Sequence, residues 1–530
     1  MGYRDLREYL QRLEDEGEMI HVEREINKDT ELMPLVRWQF RGLPKERRKA
    51  FWFDNVVDAR GRKYEMPVVV GILGASRKIY AHAMGTTMDQ ISKVWEQAQL
   101  HPVEPVLVKT GSVKEVIHHE ADIREVGGGM DLFPTPVSLP GFDPAPYLSA
   151  PCMVSKDPET GIRNVGTYRG MVKARDRLGI LVHGSQHLGI HMSKCKDQGK
   201  PLEVAIVLGY PPQVGLCSVT KIPYGIDEFS IAGGMAGKAI PLVKCETIDV
   251  EVPAEAEIVL EGIIPTDYLE PEAPFGEFTG YMGERIPSPV FHIKCITHRR
   301  NPIYHAYISQ FPPSESSTIR GIGLEAVFYR HLKYNCNVPG VLEVACHDYC
   351  GSNNYVVVQM DKIHNSHAWQ VLNSAAGYDP GHGKIFVVVD KDIDPHDPES
   401  VNWAICYRMQ PHRDMRVVPG RVYALDPSSA PPGASREERH YPFPTGTSGI
   451  LIDATRKWAY PPVSLPAREY MEKARSIWEE IGLPPLTPKV PWYGYSLGEW
   501  TAENDEEAQM AVRGEYYQTG EKLASRGIKC

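Results

Sequence analysis

Two glutamates stand close together in one short stretch of the chain. Glu272 and Glu277 enclose the sequence Ala-Pro-Phe-Gly, whose proline and glycine predict a bend rather than one face of a helix. Two neighbouring carboxyl groups can divide roles, because one can stay ionised while the other keeps a proton that it can deliver. The pair therefore indicates acid–base catalysis, with a solvated acidic turn as the alternative.

An arginine earlier in the chain could act on this pair. Arg169 ends the segment Asn164–Arg169, and we expect a strand over residues 166–172 with Thr167 and Arg169 on one face. Tyr168 falls on the opposite face. Because a guanidinium is permanently charged and forks onto carboxylates, Arg169 could hold one glutamate ionised. A surface arginine at a strand end is the alternative.

Three histidines recur at steps of four residues, at His183, His187 and His191. On a helix they would share a face and suggest a metal site. Three glycines and the run Ile180–Val182 instead favour a strand that enters a loop at Gly184, with a helix only afterwards. On that strand His183 points to the same side as His187, towards one pocket. A packed or surface histidine is the alternative.

A third polar segment runs from Cys217 to Glu228. The hydroxyls of Ser218 and Thr220 and the amides around Gly225 could hold phosphate oxygens, and Glu228 at the start of a helix could coordinate a divalent ion. With an asparagine and a histidine, this glutamate would form a mixed oxygen and nitrogen set that suits Mn²⁺ or Mg²⁺ better than zinc. A plain polar turn is the alternative.

Length and composition restrict the class of protein. A chain of 530 residues is long enough for two to four domains, and its net charge of −10 argues against general affinity for nucleic acid. No apolar run approaches the roughly 18 residues of a membrane span and the N-terminus lacks a signal pattern, so we expect a cytoplasmic protein. The ten cysteines are scattered and suit free thiols in a reducing compartment.

The pattern of elements predicts a mixed α/β fold. The apolar runs Pro67–Gly74 and Lys384–Asp390 are typical of buried strands, and residues 426–449 predict a long surface loop. In the part of the chain between these two strands, short apolar runs separated by proline and glycine predict mostly sheet or barrel. We expect an α/β domain, a sheet or barrel domain, a second α/β domain and a tail that docks on a neighbouring subunit, over residues 1–112, 113–308, 309–482 and 483–530.

Four segments, in this order, resemble the motifs of the UbiD family of decarboxylases, which use prenylated FMN. The segments are N-x-G-x-Y-R at Asn164–Arg169, Q-H at Gln186–His187, I-P-x-G-x-x-E at Ile222–Glu228 and E-x-P-F-G-E at Glu272–Glu277. The resemblance covers most of the chain. It implies an N-terminal α/β domain, a central FMN-binding split β-barrel and a C-terminal α/β domain with an extended tail helix.

The resemblance also implies roles for individual residues. It implies a catalytic network of Arg169, Glu272 and Glu277 in which Glu277 donates a proton. It implies ligands for Mn²⁺ or Mg²⁺, with K⁺ nearby, at Asn164, His187 and Glu228. It places against the cofactor Asn164, Thr167, Tyr168, Arg169, Gln186, His187, Ser218, Thr220, Glu228 and Lys384. We add His183 as a candidate for the substrate pocket.

The function implied is the reversible, non-oxidative decarboxylation of an aromatic acid or its CoA thioester, hydroxybenzoate-like or phthaloyl-CoA-like, with CO₂ as the other product. A flavin prenyltransferase would supply the cofactor, and the subunits would form a homodimer or homohexamer. One alternative is a flavin-binding split-barrel oxidoreductase, which would not need the acidic pair. Another is a metal-dependent hydrolase, which would act without flavin and leave that pair with no role.

Overall fold

The structure is a computed structural model that describes residues 2–421, 425–429, 431, 433–434 and 447–527. Most of the surface loop predicted at residues 426–449 therefore lies outside the described residues. Its last three residues belong to a strand, which begins at Thr447 rather than after Gly449. Among the described residues, every helix is too short or too polar to cross a membrane.

The N-terminal part combines four helices with short strands. Its helices are α1 Leu6–Asp15, α2 Leu32–Gly42, α3 Arg77–Met84 and α4 Ile91–Leu100. Its strands are β1 Met19–Val22, β2 Ile26–Asn27, β3 Ala50–Phe53, β4 Val56–Val57, β5 Lys63–Tyr64 and β6 Val68–Val70. The strand predicted within Pro67–Gly74 is confirmed, since all three residues of β6 are buried.

The central part is dominated by antiparallel sheet. Its strands are β7 Val106–Leu107, β8 Val116–His119, β9 Tyr147–Leu148, β10 Cys152–Lys156, β11 Arg163–Thr167, β12 Gly170–Ala174, β13 Arg177–Ile180, β14 Leu202–Leu208, β15 Pro241–Lys244, β16 Glu251–Pro253, β17 Ile258–Ile264, β18 Glu270–Glu272, β19 Ile286–Ser288, β20 Val290–His298 and β21 Tyr304–Ala306. Its helices are α5 Glu120–Arg124, α6 His187–Asp197, α7 Pro212–Val219 and α8 Glu228–Ala236. Strand β21 leaves this part and pairs with β6, in the sheet β1-β3-β6-β21.

The large sheet has the strand order β11-β10-β14-β17-β20-β13-β12-β9. Strand β8 also pairs with β20. Strands β11 and β12 are near opposite ends of this order, yet only Tyr168 and Arg169 separate them in the chain. The sheet must therefore curl to bring its ends together. Among the described residues no ladder joins these ends, so the observed fold is mixed α/β and the split barrel stays a proposal.

The single strand expected over residues 166–172 is wrong. Its first half ends β11, which pairs with β10, and its second half begins β12, which pairs with β13 and β9. The chain changes partner strands at Tyr168 and Arg169, so the alternation of faces cannot be carried across them. Arg169 therefore lies in a connection where two ends of the sheet meet.

The C-terminal part is a five-stranded sheet flanked by helices. Its helices are α9 Glu315–Arg330, α10 His367–Ala376, α11 Pro398–Arg408, α12 Pro411–Asp414 and α13 Arg468–Glu480, and the tail adds α14 Ala502–Val512 and α15 Tyr516–Ala524. Its strands are β22 Val341–Cys346, β23 Tyr355–Met360, β24 Ile385–Asp390, β25 Met415–Arg421 and β26 Thr447–Ala454. The order is β22-β23-β24-β26-β25, with β23, β24 and β26 parallel. The predicted buried strand at Lys384–Asp390 is confirmed as β24.

The cores explain how the parts are held together. One cluster of buried apolar side chains runs continuously through the N-terminal and central parts and ends on α9, at Ile319, Ile322 and Ala326. The C-terminal sheet has a separate cluster on each face, one shared with α10 and one with α11. Helix α9 therefore joins the C-terminal sheet to the rest of the protein.

The tail contacts its own chain. The Tyr495 hydroxyl donates a hydrogen bond of 2.6 Å to Asp392, and the Tyr460 N–H donates one of 3.1 Å to the Leu497 carbonyl. None of α13, α14 and α15 buries a residue within this chain. Docking of the tail on a neighbouring subunit stays a prediction.

Candidate active site

Arg169 joins the two glutamates of the bend. Its Nε and Nη2 donate hydrogen bonds of 2.8 and 2.9 Å to the two carboxylate oxygens of Glu272, and its Nη1 donates to Oε1 of Glu277. Glu272 is fully buried and Glu277 is 7% exposed. Paired in this forked geometry, the three side chains form one buried network.

The backbone and an aromatic side chain fix this network in place. Glu272 ends β18, and the bend after it is closed by a hydrogen bond of 2.8 Å from the Glu277 N–H to the Tyr281 carbonyl. The Phe275 ring lies below Arg169, whose Cζ is 4.9 Å from the ring centroid. Tyr147 packs on Phe275 at 4.4 Å between ring centroids. The guanidinium is thus held by carboxylates at its edge and by an aromatic face.

The network divides its charges unequally. Burial raises the pKa of Glu277, and the Glu272 charge adds to this, while the Arg169 guanidinium acts in the opposite direction. Burial alone would lower the pKa of Arg169, but its hydrogen bonds to the glutamates hold it above the ordinary value. Arg169 stays a cation, and Glu277 is the member whose proton is retained to higher pH.

A second arginine, which the sequence analysis missed, faces Glu277 from the C-terminal part. Arg320 lies on α9, with its Cζ 4.2 Å from the Phe278 ring centroid. Burial lowers the pKa of Arg320 to about 10, against the Glu277 charge that raises it. In return, the positive charge of Arg320 lowers the pKa of Glu277. The signal in the sequence is a cation in the middle of a buried helix, among small and apolar residues.

Two further polar groups near the bend were also missed. Burial raises the pKa of Asp143 to about 6, while backbone N–H groups and Arg169 lower it. Gln310, which has φ of 69°, is almost fully buried, and its Nε2 has no hydrogen-bond partner among the described residues. Its side chain packs against Gly276, where an added Cβ would come within 2.5 Å of Gln310 Cγ. Polar groups thus surround the bend from several segments.

The three predicted metal ligands converge on one point. Nδ1 of His187 lies 3.1 Å from Oδ1 of Asn164 and 3.8 Å from Oε1 of Glu228. Asn164 and Glu228 are buried, and Nδ2 of Asn164 has no partner among the described residues. Asn164 comes from β11, whereas His187 and Glu228 each begin a helix, α6 and α8.

This donor set fits a small octahedral cation. Two ligand atoms at right angles around an ion with bonds of roughly 2.1 Å stand about 3 Å apart, close to the spacing of Asn164 and His187. A cavity of ≈ 10 Å³, room for about one water-sized particle, lies beside both residues. No group of three or more His, Cys, Asp or Glu in the described part of the chain could hold a metal. The predicted set has two residues of those types and completes its three donors with an amide oxygen.

The hydroxyls predicted to contact a cofactor lie beside this set. Thr167 Oγ1 is 2.9 Å from Ser218 Oγ, and Thr220 Oγ1 donates a hydrogen bond of 2.8 Å to the Leu216 carbonyl. Helix α9 approaches here, since a Cβ on Gly323 would come within 2.3 Å of Thr220 Oγ1. One segment of six residues, from Asn164 to Arg169, connects these hydroxyls with the arginine network.

The remaining predicted residues have mixed environments. Gln186 precedes α6 and accepts the His183 N–H at 2.7 Å. The expected order of strand, loop and helix is confirmed, but the strand ends at Ile180, before the predicted loop entry at Gly184, so the placement of His183 on a strand is wrong. The Tyr168 hydroxyl accepts the Leu188 N–H at 3.4 Å. Lys384 donates hydrogen bonds to Asp426 at 2.6 Å and Ser428 at 3.0 Å. The roles of His183 and Lys384 stay predictions.

Three family models match the chain in succession. They describe the N-terminal, Rift-related and C-terminal domains of 3-octaprenyl-4-hydroxybenzoate carboxy-lyase, and they match residues 10–98, 106–312 and 317–454. The class defined by these matches is that of the carboxy-lyases, enzymes that break carbon–carbon bonds. The chain belongs to the UbiD family, as its four motifs predict.

Individual relatives agree with this assignment. Phenolic acid decarboxylase of Bacillus subtilis (strain 168) is 30% identical over 452 residues, which cover 82% of this chain and 92% of the relative. An evolved dimeric form of the UbiD-class enzyme HmfF from Pelotomaculum thermopropionicum, in complex with prFMN, is 32% identical with a TM-score of 0.72, covering 86% of this chain and 95% of that one. Vanillic acid decarboxylase of Sedimentibacter hydroxybenzoicus, in closed form, is 26% identical with a TM-score of 0.75. The match covers 90% of this chain and 100% of that one.

Proposed function

We propose that this protein is a prenylated-FMN-dependent, reversible and non-oxidative decarboxylase of an aromatic carboxylic acid or its CoA thioester. The observation that carries the proposal is the buried Glu272–Arg169–Glu277 network, which lies five residues along the chain from the Asn164 metal set. The hydrolase alternative gives this network no role. An oxidoreductase would not need an acid with a raised pKa in the same site.

Glu277 is the proton donor in this proposal. Decarboxylation leaves an electron pair on carbon that must be protonated, and a buried carboxyl with a raised pKa can keep a proton for that step. Glu272 holds Arg169 by two hydrogen bonds, so the guanidinium is oriented before substrate binds. Arg169 can then meet the substrate carboxylate, with Arg320 as a second cation on the C-terminal side of Glu277.

Prenylated FMN, when bound, supplies the electron sink that no standard side chain offers. Asn164, His187 and Glu228 would hold a Mn²⁺ or Mg²⁺ ion at the flavin phosphate, with K⁺ nearby. Gln186, Ser218 and Thr220 would contact the cofactor. The burial of Asn164 and Glu228 and the 3.1 Å approach of Asn164 Oδ1 to His187 Nδ1 support this assignment. A flavin prenyltransferase would supply the cofactor, and the enzyme would act as a homodimer or homohexamer.

The relatives support an aromatic substrate. Phenolic acid and vanillic acid are named for two of them. We propose a hydroxybenzoate-like acid or a phthaloyl-CoA-like thioester as the substrate of this chain. In either, the reacting carboxylate needs a cationic partner, which Arg169 and Arg320 provide.

The test is co-expression with a flavin prenyltransferase, mass analysis of the extracted cofactor, and a screen of aromatic acids for CO₂ release and for deuterium exchange into the product. We expect prenylated FMN, a bound divalent ion and flavin-dependent turnover of at least one aromatic acid. Turnover by flavin-free protein would favour the hydrolase. Hydride transfer with unmodified FMN and no CO₂ release would favour the oxidoreductase.

A further inference from the structure

A second cavity lies at the carboxyl edge of the C-terminal parallel sheet. The chain leaves β23 towards α10, which packs on one face of the sheet, and leaves β24 towards α11, which packs on the other face. Adjacent strands whose exits diverge in this way open a crevice at their carboxyl ends, and such crevices bind ligands in α/β proteins. None of the residues that line this cavity belongs to the candidate active site, so the two sites are separate.

The cavity has a volume of ≈ 300 Å³. This is large enough for a small organic ligand. Its walls come from the exits of β23, β24 and β26 and from Leu497 of the tail: Met360, Asp361, Lys362, Asp390, Lys391, Arg456, Lys457, Trp458, Ala459 and Leu497. Four cations face two carboxylates there, although the whole chain carries a net charge of −10.

The charges of this cavity are only partly used inside the protein. Asp390 is already neutralised by the buried Arg408, which donates a hydrogen bond of 2.8 Å to it. Arg456 makes one weak side-chain contact with Asp390, from Nε at 3.4 Å, and among the described residues its two Nη groups donate no hydrogen bond. Within the described part of the chain, Lys391 pairs only with Asp361, at 3.1 Å, and both side chains are more than half exposed. Such a surface pair contributes little and can be exchanged for a ligand.

An aromatic surface completes the cavity. Trp458 is 62% exposed, and Arg413 lies 5.1 Å from its ring centroid. Large exposed aromatic residues at a polar cavity are typical of sites that stack planar rings. The two unused Nη groups of Arg456 form the fork that suits a phosphate group. The cavity thus offers a planar apolar contact and a phosphate contact within one volume.

We propose that this crevice is a second binding site, which takes a nucleoside phosphate. Arg456 and Lys391 hold the phosphate, and Trp458 stacks on the base. The site requires no substrate and no turnover, so it stands independently of the proposed decarboxylase activity.

The test is calorimetric titration of the FMN-loaded holoenzyme with AMP, so that the flavin site is filled and cannot bind the nucleotide. We expect one saturable site per chain, with weaker binding of inorganic phosphate and of adenosine alone. Arg456→Ala should weaken AMP binding about ten- to a hundred-fold, since it removes a charge-assisted contact. Trp458→Ala should weaken it about ten-fold through loss of stacking.

Two further variants test whether weaker binding comes from the charges of the cavity, rather than from a folding defect or from loss of any surface charge. Lys391→Ala removes an exposed charge that the fold does not need and should still weaken AMP binding. Lys473→Ala removes an exposed lysine of α13 outside the cavity and should leave binding unchanged. Three results would each overturn the proposal. The wild type could show no saturable AMP binding, Arg456→Ala and Lys391→Ala could both bind AMP as tightly as the wild type does, or inorganic phosphate could bind as tightly as AMP.

Discussion

Replacement of Glu277 by glutamine should abolish most turnover and leave the protein folded and loaded with cofactor. Glutamine has almost the same shape, and its amide oxygen can still accept the hydrogen bond from Arg169, but it has no acidic proton. A positioned general acid contributes roughly 10²- to 10⁴-fold to rate. The expected loss in kcat corresponds to about 3 to 5.5 kcal/mol of activation free energy.

The rest of the site should survive this change. Arg169 keeps both hydrogen bonds to Glu272, and the Asn164–His187 pair is untouched. The assay is CO₂ release together with deuterium exchange at the product carbon, alongside flavin content by mass and thermal unfolding. Glu270→Gln is the matched control, because it removes a charge from β18, the strand that leads into the bend, where Glu270 pairs with Lys173 outside the network.

Two results would refute this reasoning. Turnover of Glu277→Gln within about three-fold of wild type would show that another group donates the proton. Loss of flavin or of folding in Glu277→Gln, with Glu270→Gln intact, would show that Glu277 has a structural role.

Four further outcomes are expected from changes to charge. In Glu272→Gln, the pKa of Glu277 falls because a neighbouring negative charge is removed, and since the protonated form is active, the decline of kcat with rising pH should begin at lower pH. In Arg320→Met the decline should begin at higher pH, because a charge that lowers the same pKa is lost; a pH–rate profile that moves the same way in both variants would contradict the argument. Glu228→Gln should strip bound divalent ion and cofactor about ten-fold or more, measured as stoichiometry after gel filtration, and full retention would remove Glu228 from the metal site. Burial lowers the pKa of His305 to about 3, so folding stability should fall as pH drops from about 6.5 towards 3, by up to 1.4 kcal/mol per pH unit; urea unfolding at pH 7 and 5 should show this dependence weakened in His305→Phe.

Parts of the fold were predictable because local sequence decides them. The buried strands β6 and β24 are continuous apolar runs, and such runs have little alternative to a sheet interior. The strand break at Tyr168 and Arg169 was not predictable, because it depends on which distant strands pair with each half. Charge complementarity predicted that Arg169 could contact one of the two glutamates, whatever the path of the strand, and the family resemblance implied the contact with both.

Arg320 shows what kind of site residue sequence reasoning misses. It comes from α9 and approaches Glu277 only because that helix packs between the C-terminal sheet and the core of the other two parts. Nothing in the local sequence of α9 specifies this contact, whereas the bend at Glu277 carries its own signal. The charge environment of the proposed proton donor is therefore built by two parts of the protein. Any displacement of α9 from the bend removes a cation from Glu277 and raises its pKa, so the position of the C-terminal part and the protonation of the proposed proton donor are coupled.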